Sequence, residues 1–307
     1  MDVALPLLVL ALVLAIGVGV SLGLLGGGGS ILTVPLLVYV LGLPAHEAIA
    51  ASLLVVGTTS LAALVPHARG GRVKWQTGVL FGAASMAGAY AAGRVAKQIP
   101  ATVLLLLFGG MMLLTAIFMM RGRKEPKQAQ AATGEQPAAS RGRRYLLIAL
   151  EGLVVGAFTG LVGAGGGFLV VPALVLLGGL GMRHAVGTSL LVIAMKSFAG
   201  FAGYLASTHV DWTLAGLVTV AAVSGSFVGA RLVSKVPPEM LRRGFAWFVV
   251  VMAVFILSQE VPKALGWQFS LAANWPIVLC LVSIPLLLAI VSLARMPRAP
   301  IPAARLG

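Results

Sequence analysis

A chain of 307 residues that is 59% hydrophobic and only 10% charged, with a mean hydropathy of +1.03, lacks the polar surface that a soluble fold needs. Soluble enzymes, nucleic-acid binders and disordered scaffolds are ruled down on that ground. The 22 Lys+Arg against 8 Asp+Glu leave a formal charge of +14, which in so apolar a chain reports the loops that face the cytoplasm rather than a nucleic-acid partner.

In chain order the apolar segments run 3–22, 30–43, 46–66, 75–93, 101–120, 145–162, 168–181, 184–206, 212–230, 241–258 and 275–293. Most reach the ~20 residues a helix needs to cross a ~30 Å hydrocarbon core. None alternates with period two, so the pattern predicts an all-α integral membrane protein and not a barrel. The first segment opens Met1-Asp2 without a basic stretch or an A-x-A site, and reads as a mature helix rather than a signal peptide. The single cysteine, Cys280, lies in an apolar run and reads as an inert packed thiol.

Residues 121–144 (RGRKEPKQAQAATGEQPAASRGRR) hold no apolar periodicity and carry basic clusters at both ends. They predict a flexible cytoplasmic linker. The parts on either side are copies. A shift of 137 residues lays GLLGGGGSILTVPLL (23–37) on GLVGAGGGFLVVPAL (160–174) with nine of fifteen positions identical. The same shift pairs Val73 with Val210, Trp75 with Trp212, Gly88 with Gly225 and Arg94 with Arg231. The expected organisation is a first repeat over 1–120, the linker, a second repeat over 145–258, and an extra helix with a basic tail over 259–307.

Five segments per copy is an odd number, which turns the second copy upside down relative to the first. The basic residues agree. With the linker placed in the cytoplasm, 18 of the 22 Lys/Arg fall on that side, while Arg94, Lys97 and Lys263 fall outside and Lys196 falls within the core. The predicted topology is multi-pass, with the N-terminus outside and the C-terminus cytoplasmic.

The glycine clusters, Gly26, Gly27, Gly28 and Gly29 in one copy and Gly163, Gly165, Gly166 and Gly167 in the other, are poor helix interior. They break the helix at membrane depth, where free backbone survives only in a cavity or inside protein. Each precedes a short segment; 168–181 would span ~21 Å as helix. Two half-helix N-termini meeting near the midplane would form a paired anion cradle. Close helix packing is the plainer use of such glycines. A nucleotide loop does not fit, since neither copy has the Lys-Ser/Thr of a P-loop.

The doubled G-x-x-G-x-G-G-x-x-x-x-V-P-x-L, the G-T-S-L at 187–190 (A-A-S-L in the first copy) and the V-D-W at 210–212 resemble the TauE/SafE family. That family comprises sulfite exporters and organosulfonate permeases, mainly of prokaryotic plasma membranes. The resemblance covers nearly the whole chain and implies passage of sulfite, a sulfonate or a related sulfur oxyanion across that membrane. Composition and spacing alone reach only a transporter for a small anion.

Polar groups in the predicted core are few, and each is a candidate. Lys196 sits in the middle of 184–206 where the first copy has Thr59; it reads as a charge partner of substrate or a coupling group, as a structural partner of Glu151, or as a side chain snorkelling along a tilted helix. Glu151, two turns inside 145–162, reads as a proton carrier for coupling or as a simple ion-pair partner. Ser52, Thr58, Thr59, Ser60, Thr188, Ser189 and Ser197 place hydroxyls on the third segment of each copy, of which the register-matched Ser52 and Ser189 are the best substrate-binding candidates. His46, His67, His184 and His209 sit near membrane boundaries without metal spacing, and Trp75 and Trp212 read as interface belts. The expectation is a non-enzymatic secondary transporter working by alternating access, with no cofactor or metal, coupled to H⁺, Na⁺ or the substrate gradient. An anion channel built on the same paired helix ends is the alternative.

Overall fold

The computed structural model describes residues 5–25, 28–120, 138–163, 165–176, 179–232 and 238–265. All regular elements among them are helical, as the apolar composition demands: without water in a bilayer core, a backbone must satisfy its own N–H and C=O groups. Helix α1 (Leu5–Leu25) is followed by an irregular helical stretch, a 3₁₀ turn (Gly28–Leu32), one α turn (α2, Thr33–Pro35) and a π turn (Leu36–Val40). Then come α3 (Ala45–Arg69), α4 (Trp75–Val95), α5 (Ala101–Met120), α6 (Ala138–Val162), α7 (Gly167–Leu176), α8 (Met182–Leu205), α9 (Trp212–Leu232) and α10 (Pro238–Ala264).

Five of these are long and apolar enough to cross a membrane: α1, α3, α4 with the turn after it, α8 and α9. Shorter apolar helices lie at Ser30–Val40, Ala101–Ile117 and Leu146–Val162. The protein is thus a multi-pass helical membrane protein.

Three boundaries differ from the sequence reading. Helix α6 begins at Ala138, so residues 138–144, expected in the flexible linker, form its first turns. Residues 121–137 lie outside the described residues. Helix α10 runs to Ala264 and carries Gln259 and Glu260, expected in a loop, inside the fold at 5% and 2% exposure. The short segment of the first copy is not a regular half-helix; Gly28–Val40 changes its winding twice. The extra helix expected at 275–293 lies outside the described residues.

The elements recur at the sequence offset: Trp75–Val95 and Trp212–Leu232 stand 137 residues apart at both ends. Their packing recurs too, with α4 lying along α6 as α9 lies along α1, α3 crossing α8, and α5 pairing with α10. Small residues permit these approaches. A Cβ on Gly152, Gly156 or Gly160 of α6 would run into the backbone of Phe81, Ser85 or Ala89 of α4. The equivalent seam sets Gly19 of α1 against Ala222, and Gly225 of α9 against Ile16. With lipid as apolar as leucine, such backbone proximity supplies association that hydrophobicity cannot.

Helices α3 and α8 form the centre, with 72% and 67% of their apolar windows buried, against 33% for α1. They run antiparallel: a Cβ on Gly57 would sit 3.3 Å from Ser197 Cβ, and one on Gly200 would sit 3.3 Å from Leu53 Cδ1. Large apolar side chains such as Leu146 and Val220 face outward, as a lipid-facing surface requires.

Candidate buried cationic site

The break between α6 and α7 is built by glycine. Gly163, Gly165 and Gly166 all take positive φ (+70°, +60° and +60°), a region that L side chains rarely adopt. Space forbids a side chain as well. A Cβ on Gly165 would meet Val56 and Ser30, and one on Gly166 would meet Thr159 and the Lys196 ammonium. Two backbone groups at the break have partners outside the helix: Ser52 Oγ donates to the Gly163 carbonyl, and Tyr204 Oη donates to the Leu161 carbonyl at 2.7 Å. Helix α7 starts at Gly167 and leans on the 3₁₀ turn of the first copy, so the two glycine-rich segments touch. Gly26 and Gly27 lie outside the described residues. Gly28 and Gly29 open the 3₁₀ turn.

Beside this break sits Lys196, 1% exposed on central α8. Its Nζ donates to Thr159 Oγ1 at 2.6 Å, and Thr159 Oγ1 in turn donates to the Val155 carbonyl at 2.7 Å. Among the described residues no carboxylate reaches the ammonium. The Lys196–Glu151 ion pair considered from the sequence does not form. Glu151 lies two turns from Thr159 on α6, half-buried, with a buried Oε2 that lacks a hydrogen-bond partner. A buried cation without an anion is expensive, by several kcal/mol even after relaxation. What this site can do chemically is accept a negative charge.

Lys196 is therefore brought to the second glycine break, together with Gly166. Ser52 is tied to the same break through Gly163, while Ser189 Oγ donates to its own helix at the Val186 carbonyl, 2.8 Å away. Glu151 stands apart. The sequence reading missed Thr159 and Tyr204. Thr159 could have been found, since it lies one turn before Gly163 in a helix that must end there. It also passed over Ser30, fully buried against Gly165.

The V-D-W stretch proves to be a helix start. Asp211 Oδ1 accepts from the backbone N–H of Thr213 and Leu214, both at 3.0 Å, which caps α9. Val210 is buried and Trp212 lies 59% exposed beside the C-terminal end of α8, while Trp75, 54% exposed in the other copy, lies beside the N-terminal end of α8. Glu47, His209 and Asp211 line an open hollow of about 470 Å³ beside this cap. Among the described residues no cluster of three or more His, Cys, Asp or Glu is arranged to hold a metal ion.

Long apolar helices and a glycine-broken interior define a multi-pass integral membrane protein, and comparison with known proteins places it among membrane transporters. Residues 10–256 match the family model described as "Sulfite exporter TauE/SafE", and the chain belongs to that family. It is 35% identical to a "Probable membrane transporter protein" of Xylella fastidiosa (strain 9a5c), over 77% of this chain and 90% of that protein. It is 28% identical to "Probable membrane transporter protein YdhB" of Bacillus subtilis (strain 168), over 72% of this chain and 88% of that one. A Haemophilus influenzae relative, also named "Probable membrane transporter protein", is 23% identical over 76% of this chain and 91% of its own length. No solved structure gives a significant match.

Proposed function

We propose that the protein is a secondary transporter of a small sulfur oxyanion, such as sulfite or a sulfonate, across the prokaryotic plasma membrane. The observation that carries this reading is Lys196: a buried ammonium beside a glycine break, with one neutral hydroxyl as its hydrogen-bond partner. An anion entering there would supply the missing counter-charge, and the family to which the chain belongs supplies the sulfur chemistry. The backbone around Gly163, Gly165 and Gly166, with Gly28 and Gly29 in the 3₁₀ turn that touches α7, would complete the cradle, and Ser52 and Ser189 would hold its walls.

The mechanism in this reading is alternating access between two inverted repeats. Its support is that α3 and α8, which occupy equivalent places in the two copies, cross antiparallel. The distribution of basic residues favours an external N-terminus and a cytoplasmic C-terminus. Glu151 would carry the proton of the coupling step, with Na⁺ as the other ion to test.

The deciding experiment is flux into proteoliposomes with sulfite, thiosulfate, sulfoacetate, sulfate and acetate, for the wild-type protein and Lys196→Gln. Saturable sulfur-oxyanion flux that shows countertransport and is lost in the variant is expected. Unsaturable flux without countertransport would instead indicate a channel, and flux indifferent to Lys196 would refute the site.

A further inference from the structure

The seam between α3 and α8 holds two hydroxyls that the fold does not use. Ser60 Oγ and Ser197 Oγ are fully buried and have no hydrogen-bond partner. Their neighbours behave otherwise. Thr58 donates to the Leu54 carbonyl at 2.9 Å, Thr59 to Val55 at 2.6 Å and Ser189 to Val186 at 2.8 Å, all on their own helix, and Thr188 accepts the Lys74 N–H at 3.0 Å. Back-bonding of this kind is the ordinary fate of a hydroxyl in an apolar helix. A buried polar group that forgoes it calls for an explanation.

Three facts bear on that explanation. Ser60 and Ser197 stand 137 residues apart, at equivalent positions of the two copies. Both face the seam, because Ser60 lies one helical step of three residues from Gly57, and Ser197 the same step from Gly200, and these glycines mark the crossing. Since the helices are antiparallel with Gly57 opposite Ser197, Ser60 lies roughly 5 Å along the axis from Ser197, on the other side of the crossing point. Lys196 adjoins Ser197 in the chain at the same level.

We propose that Ser60 and Ser197 are paired oxyanion donors that, with Lys196, select a pyramidal –XO₃ head over a planar carboxylate. The inference rests on the transporter reading given above and adds the residues that set its specificity. Two hydroxyls from opposing helices, with the ammonium that Lys196 holds against Thr159 and Gly166 one residue along α8 from Ser197, would present three donors in different directions. A sulfite or sulfonate head offers three oxygens disposed about a pyramid, so each donor finds an acceptor as the seam opens around it. A carboxylate offers two coplanar oxygens and leaves one buried donor unmet, a mismatch that polar sites punish more heavily than a lost apolar contact.

The test is counterflow of labelled sulfite in proteoliposomes, with methanesulfonate and acetate as competitors, for wild type, Lys196→Gln, Ser60→Ala, Ser197→Ala and the double alanine variant. The double variant is expected to raise the KM for sulfite by tenfold or more, the scale of a lost hydrogen bond to a charged group. It should leave competition by acetate unchanged and keep the melting temperature of the purified protein at or above wild type, since removing an orphan hydroxyl costs the fold nothing. If wild type moves none of these anions, the transporter reading itself falls. If wild type moves sulfite in a Lys196-dependent way and the double variant keeps its KM and selectivity, the serine proposal alone is overturned. A variant that melts lower or fails to fold also overturns it, because the hydroxyls would then be structural.

Discussion

Replacing Lys196 with Met separates a functional charge from a structural one. The ammonium is 1% exposed and holds one hydrogen bond, to Thr159. Against that bond, worth about 1.5–3 kcal/mol for a charged donor, stands a desolvation cost of several kcal/mol with no carboxylate to offset it. Methionine matches the length of the lysine stem and leaves no orphan, because Thr159 Oγ1 keeps its 2.7 Å bond to the Val155 carbonyl. Exchange of a buried ionic group for an apolar one of similar volume stabilises by about 1–4 kcal/mol. At roughly 2–4 °C per kcal/mol for a chain of this class, K196M is expected to melt several degrees higher than wild type in detergent. Sulfite flux in proteoliposomes should fall at least a hundredfold. A variant that melts lower while retaining flux would show that the lysine holds the fold and does not serve the anion.

Other substitutions probe the frame around it. Gly166→Ala forces a side chain into positive φ and against Thr159 and Lys196; strain of about 1–2 kcal/mol plus overpacking of about 1–3 kcal/mol should lower the melting temperature and abolish flux together. Gly17→Ala and Gly19→Ala on α1 should move in opposite directions. Gly17 has open space around it and should gain about 1 kcal/mol from helix propensity, whereas a Cβ on Gly19 would strike the Ala222 carbonyl and part α1 from α9; equal melting shifts would refute the packing argument. Tyr204→Phe should cost about 1–3 kcal/mol, because it strands the partly buried Leu161 carbonyl at the end of α6. Glu151→Gln should make flux insensitive to an imposed pH gradient, and persistence of that sensitivity would remove Glu151 from the coupling step.

Much of this architecture was legible because membrane insertion imposes strict rules on composition. Continuous apolar runs separated by glycine or basic loops placed α3, α4, α8 and α9 within a few residues of their ends, and the repeat offset recurs in the helices themselves. Lys196 stood out because a charge in the middle of an apolar helix is rare enough to be noticed singly. What stayed hidden has two physical causes. Polar stretches carry no periodicity, so the start of α6 at Ala138 and the end of α10 at Ala264 could not be seen where apolarity had already faded. Partners across the fold also leave no trace in spacing: nothing in the chain before folding links Lys196 to Thr159, or Ser52 to Gly163. The glycine signal, by contrast, reports its cause directly, since only a residue without Cβ satisfies the positive φ and the crowding at Gly165 and Gly166 at once.

The two copies are alike in seam, helix order and orphan serines, yet unlike in charge, for Lys196 faces Thr59 across the repeat relation. Thr59 spends its hydroxyl on the Val55 carbonyl and offers nothing to a ligand. A single fixed charge suits a carrier. A second ammonium at that level would deepen binding and slow release, and a site that holds its anion too firmly cannot turn over. In the proposed site, with one lysine, the hydroxyls and glycine backbone would supply directional, neutral donors while the charge would do no more than balance the anion. On this view Thr59→Lys is a more informative variant than any deletion. It should tighten sulfite binding to the purified protein while slowing counterflow, and faster counterflow with tighter binding would refute the idea that one charge limits how firmly the site holds.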